Sequence, residues 1–170
     1  MTDTNTTKLE KLLMIGKEVL AEPDVDHVLE KSVDRLIDIS GAERGLIILY
    51  NDTGDRHIQT ARNLEKEDIE NPEFEISNTI LENVKQSGEH VFLKNALRDK
   101  NLDQSKSVLR LRILSVICLP LKKSEKVFGV VYLDNRTIQG RFTDEINELV
   151  ISFVDFISLA AFHTVERNHW

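Results

Sequence analysis

The sequence predicts an α+β domain, one antiparallel sheet with helices packed on its faces. Three observations carry this. Two pairs of short aliphatic runs, 45–50 with 56–62 and 115–121 with 127–133, are each joined by a brief polar link, as in hairpins. Apolar residues recur at three- and four-residue steps near both ends of the chain and again in the middle. The resulting order, α-α-β-β-α-β-α-β-β-α, excludes an all-parallel sheet, because hairpins make antiparallel neighbours.

Each element has its own reason. Leu9, Leu12, Leu13, Gly16, Val19 and Leu20 form one helical stripe over about 7–21, which Pro23 ends. Asp24 caps a second helix with Val25, Val28, Leu29, Val33, Leu36 and Ile37 on one side, and Gly41 stops it. Gly45 to Tyr50 is a buried strand, Asn51 to Asp55 is turn chemistry, and Arg56 to Arg62 returns as its partner. Residues 65–75 are an acidic loop ending in a short extended piece near Phe74 to Ile76. Ser77 caps a helix carrying Ile80, Leu81 and Val84, which Gly88 stops. Val91 to Leu93 is a short strand, and a short helix is expected over Ser105 to Leu111. Ser115 to Leu121 and Val127 to Leu133 form the second hairpin, with Pro120 expected near a strand end or bulge. Thr143 caps a long last helix whose first turn holds Asp144 and Glu145 at its positive end.

The 170 residues suit one domain with a core large enough to need no disulfide or metal. With 22 basic and 29 acidic residues the net charge is -7, which argues against a nucleic-acid binder. The single cysteine, Cys118, excludes an internal disulfide and a zinc cluster, and the expected compartment is the cytoplasm. Leu149 to Val165 is the longest apolar stretch, but Asp155 interrupts it, so a packed helix is expected and not a membrane span. His27, His57, His90, His163 and His169 are scattered without metal-ligand spacing. No nucleophile elbow, Walker A loop or dinucleotide fingerprint occurs, so no catalytic constellation and no cofactor is expected.

The ordered set of Gly41-Ala42-Glu43-Arg44-Gly45, Leu114 to Leu121, Phe128 to Arg136 and Gly140 to Glu145 resembles the GAF domains, small-molecule-sensing modules of signalling proteins. The resemblance runs from about Leu9 to Arg167. It implies a single GAF domain over 1–170, with an N-terminal helix (1–21), a sheet and pocket region (22–142) and a C-terminal signalling helix (143–167). The fold implied is GAF/PAS-like, or profilin-like. About six antiparallel strands carry the first two helices and the last on one face and a pocket under short helices on the other. It also implies a part of a larger regulator, whose output domain (a histidine kinase, a cyclase or a transcription activator) is absent from this chain.

On that architecture the pocket region is the candidate site for an unknown small ligand. The 94–112 segment holds six basic residues against two acidic ones, and Ser107, Arg110 and Arg112 there suit a phosphate or carboxylate. Leu93, Leu111, Cys118 and Tyr132 are the expected lining. A cyclic-nucleotide reading matches Asn135-Arg136, Phe142 and Asp144-Glu145 against a phosphodiesterase-type signature, with Arg for Lys and a shortened spacer. Helix-start chemistry explains Asp144 and Glu145 better. A homodimer is expected through a bundle of the terminal helices, using Leu9, Leu12, Gly16, Val19, Leu159 and Phe162. The function expected is a non-catalytic sensor relaying ligand binding through that dimer. The alternative is a ligand-free dimerisation or protein-interaction module.

Overall fold

The computed structural model describes residues 9–10, 13–14, 17, 21, 24–72, 76–93, 112–137 and 142–168. Three of its helices are α1 (Val25–Ser40), α2 (Asn78–Ser87) and α3 (Asp144–Asn168). The strands are β1 (Arg44–Tyr50), β2 (Arg56–Asn63), β3 (Val91–Leu93), β4 (Ser115–Lys123) and β5 (Lys126–Asn135). Leu9, Glu10, Leu13, Met14 and Lys17 occupy helical positions within the first expected stripe. The extended piece at 74–75 and the helix over 105–111 lie outside the described residues.

The caps are those the residue types dictate. Asp24 accepts from the Asp26 amide at 2.9 Å, and Ser77 accepts from the Ile80 amide at 3.4 Å. Gly41 ends α1 with φ 74, where a side chain would be strained, and its N–H reaches the Ile37 carbonyl at 2.8 Å.

The described sheet has five strands in the order β2-β1-β5-β4-β3, every neighbour antiparallel. Both expected hairpins form, as β1–β2 and β4–β5. They are joined at the centre of the sheet by β1 and β5, the pairing with no local signal in the sequence. Pro120 lies one residue before the bulge at Leu121/Lys122. The β3 ladder stops opposite Cys118, so Pro120 has a ladder neighbour only in β5.

Strict alternation sorts the strand residues between two cores. Ile47, Leu49, Ile117, Leu119, Val131 and Leu133 pack with Leu29, Val33, Leu36 and Ile37 of α1 and Val150, Phe153 and Ile157 of α3. Leu46, Ile48, Tyr50, Val116, Cys118, Val130 and Tyr132 form the opposite core with Ile76, Ile80, Leu81 and Val84 at α2, and Ile113. Each fully buried Leu, Ile or Val in these clusters contributes roughly 1.5–3 kcal/mol. Arg62 of β2 ties the sheet edge to α1 through Asp34, at 3.0 and 3.2 Å.

Candidate functional site

The α2 side of the sheet is built in register. Ala61, Leu46, Tyr132, Cys118 and Val91 form one row across all five strands. The next row runs Arg44, Asp134, Val116 and Leu93. Three expected lining residues, Leu93, Cys118 and Tyr132, therefore share this face. Leu46, Ile48, Val116, Cys118 and Tyr132 expose none of their surface, whereas Val91 and Leu93 are partly exposed. Ser107, Arg110 and Leu111 lie outside the described residues. Arg112 is exposed in the turn before β4, with φ 54.

One end of this face carries a buried polar node that the sequence reading passed over. Asp134 is wholly buried. Its Oδ1 accepts from Arg44 Nε at 2.9 Å, and its Oδ2 accepts from the Tyr132 hydroxyl at 2.8 Å. Arg136 Nε lies 3.9 Å from Oδ2. Burial raises the Asp134 pKa, and the Arg44 and Arg136 charges with the Tyr132 and Arg44 hydrogen bonds offset this only in part. Arg44 Nη2 is buried without a hydrogen-bond partner among the described residues. A lone Arg and a lone Asp at the ends of two aliphatic strands, in phase with Leu46 and Tyr132, are the signal that would have found this pair.

Beside the node, Glu43 clamps the exit of β5. Its Oε1 accepts from the Arg136 amide at 3.1 Å, the Thr137 amide at 2.9 Å and the Thr137 hydroxyl at 2.6 Å. The Asn135 side chain accepts from the Glu43 amide at 2.9 Å. Burial pushes the Glu43 pKa up, but the Thr137 and Arg136 hydrogen bonds and the Arg44 charge outweigh it, and the net shift is downward. These contacts join the start of β1 to the segment that leads into α3.

The thiol and phenols on this face are held in their protonated forms. Burial holds the Cys118 thiol well above its usual range, so it stays protonated and unreactive. Tyr132 is pushed up by burial, by the Asp134 charge and by its bond to Asp134, so it remains a donor. Tyr50, at the far end of β1, is pushed up to about 12, chiefly by burial. Among the described residues, no cluster of His, Cys, Asp and Glu suits a metal ion, and no helix is long and apolar enough to cross a membrane.

The cyclic-nucleotide signature does not converge on this face. Phe142 belongs to the α1/α3 core, while Asp144 and Glu145 are exposed in the first turn of α3. Thr143 caps that turn, accepting from the Ile146 amide at 3.2 Å. Of the residues expected at a dimer interface, Leu9 is 58% exposed and Leu159 is 70% exposed. Phe162 is half-buried against Phe128 at 5.4 Å, with Lys123 Nζ 3.7 Å above its ring. Leu12, Gly16 and Val19 lie outside the described residues.

A family model described as the GAF domain matches residues 22–160. The fold is similar to that of the GAF domain from an Acinetobacter phosphoenolpyruvate-protein phosphotransferase, with 17% identity, TM-score 0.73 and coverage of 99% of this chain and 98% of that one. The GAF domain from the Coxiella burnetii phosphoenolpyruvate-protein phosphotransferase gives 15% identity, TM-score 0.68 and coverage of 99% and 100%. Residues 122 to 287 of a methyl-accepting chemotaxis protein give 18% identity, TM-score 0.66 and coverage of 88% and 95%. Comparison with curated proteins gives no match. Identities this low speak for the fold alone, while the family model covers most of the chain. This chain belongs to the GAF domain family, sensory and regulatory modules of signalling proteins.

Proposed function

We propose that this domain is a non-catalytic sensor that takes a small cytosolic molecule over the α2 side of its sheet and relays binding through α3 in a homodimer. The observation that carries this is a hydrogen-bonded path from the floor to the segment that leads into α3. Tyr132, on the floor, bonds Asp134 at 2.8 Å. Asp134 adjoins the Glu43 clamp on Arg136 and Thr137, and α3 begins seven residues after that clamp ends. Ile151, Phe156 and Leu159 leave an apolar strip exposed on α3, which supports a helical partner there. A floor group that moves shifts the node, and the node shifts the entry to α3. The protonated thiol and phenols on this face support a binding role. The 94–112 segment, with Ser107, Arg110, Leu111 and Arg112, is proposed to contribute to the cover and to anion recognition. Residence in the cytoplasm and attachment to a kinase, cyclase or transcription-activating output are part of the same proposal.

One observation favours the second reading, a ligand-free dimerisation or protein-interaction module. The central floor residues expose no surface, so a ligand enters only if the cover opens. Mass determination of fresh protein under native and denaturing conditions separates the two. A dimer with excess mass that vanishes on denaturation supports the sensor. A dimer without excess mass supports the ligand-free module, and a monomer overturns the relay.

A further inference from the structure

We propose that Arg44 forms an anion-receiving corner of the α2-side face, and that the ligand it receives is a small monocarboxylate with an apolar tail. This deepens the sensor reading and rests on it. Arg44 grips Asp134 by one edge only, Nε to Oδ1 at 2.9 Å. The other Asp134 oxygen accepts from the Tyr132 hydroxyl at 2.8 Å, and Arg44 Nη2 makes no hydrogen bond to the carboxylate. Nη2 is left buried with no acceptor among the described residues. A buried unmet donor is costly, and Arg44 Nη2 is one of several buried polar atoms in this state among the described residues. A guanidinium edge is the shape complement of a carboxylate.

The surroundings select the class of ligand. Glu43 does not supply the missing acceptor: its Oε1 holds the Arg136 and Thr137 donors, and neither of its oxygens hydrogen-bonds Arg44 Nη2. Asp134 stands beside the corner, so a dianionic phosphate meets more repulsion than a carboxylate. Along the same cross-strand row, Val116 and then Leu93 follow Asp134. Leu93 is partly exposed and is three strand spacings, about 14 Å, from Arg44. The row thus offers a cation at one end and reachable apolar surface at the other.

The test titrates the full chain with hexanoate, hexanamide and inorganic phosphate, followed by amide chemical shifts and thermal unfolding. Two variants accompany the wild type. Arg44→Lys keeps a positive charge opposite Asp134 but lacks the fork. The combination Arg44→Met, Asp134→Leu replaces the pair with apolar groups, so folding is retained without the corner. Hexanoate is expected to bind saturably with shifts centred on Arg44 and Asp134, about tenfold or more tighter than hexanamide. Arg44→Lys is expected to lose a similar factor, and the double variant to lose the preference for hexanoate. Equal binding of hexanoate and hexanamide, unchanged in Arg44→Lys, overturns the corner and leaves the pocket standing. Tighter binding of phosphate overturns the carboxylate assignment. No response to any probe overturns the corner, while the sensor reading is judged separately by native mass.

Discussion

Asp134→Ala is the most informative single change in the polar node. The carboxylate is 0% exposed and its Arg44 partner 18% exposed, so deletion leaves a mostly buried cation without its counter-charge. Breaking a buried pair in this way costs roughly 3–5 kcal/mol, and the residual exposure of Arg44 places it near the lower end. The Tyr132 hydroxyl also loses its acceptor, which costs about 1–3 kcal/mol. The two penalties overlap because one carboxylate serves both donors, so the expected loss is about 4 kcal/mol. That is a large share of the roughly 5–15 kcal/mol that holds a domain together. Urea unfolding followed by circular dichroism measures it, with the slope shared across variants. The combined variant Arg44→Met, Asp134→Leu, Tyr132→Phe removes every member together, and most of the lost stability is expected to return. A cost below about 1 kcal/mol for Asp134→Ala, or a triple variant as unstable as the single, refutes the reasoning.

Gly129→Ala puts a Cβ 2.7 Å from the Ile48 carbonyl oxygen and 2.9 Å from Leu49 Cδ2, so the β1–β5 centre must shift; the expected cost is about 1–3 kcal/mol in urea unfolding. Glu43 and Asp134 are expected to give pH dependences of opposite sign. The folded-state pKa of Glu43 lies below its ordinary 4.5, so its stabilisation is present above that value and disappears as pH falls through the folded value. The folded-state pKa of Asp134 lies above its ordinary 3.8, so its contribution is complete below that value and is lost as pH rises through the folded value. Unfolding of Glu43→Gln and Asp134→Asn against wild type from pH 7 to 3 reads both signs. Leu159→Glu changes a side chain that is 70% exposed, so stability is expected to move by less than about 0.5 kcal/mol while sizing shows monomers; a surviving dimer moves the interface elsewhere.

The sequence made the local features legible. Asp24, Gly41, Ser77 and Thr143 announce helix ends because caps are chosen by neighbours within a few residues. Short aliphatic runs locate the strands, and the two-residue pleat places Cys118 and Tyr132 on one face once β4 and β5 pair. The Arg44–Asp134 pair escaped because its members are 90 residues apart and meet only through the β1–β5 ladder. The net positive charge of 94–112 points to that segment, whereas nothing local distinguishes a single arginine at a strand start. The Glu43 clamp escaped for a related reason. A glutamate between Ala42 and Arg44 reads as surface charge until its oxygen is seen among the Arg136 and Thr137 donors. The bulge between Ile47 and Ile48 in the β1–β2 ladder has no marker in Arg56 to Asn63, which lacks glycine.

The central claim is that the α2-side face opens to admit a ligand while the rest of the domain stays folded. Cys118 reports on this directly, being the only cysteine in the chain and wholly buried on that floor. The decisive measurement is the rate of Cys118 labelling by a small thiol reagent across low urea, set beside global unfolding. Labelling through an opening that needs clearly less free energy than unfolding, and that is nearly insensitive to urea, is the predicted result. Labelling only at the free energy and urea dependence of global unfolding would contradict it and make the domain a ligand-free module.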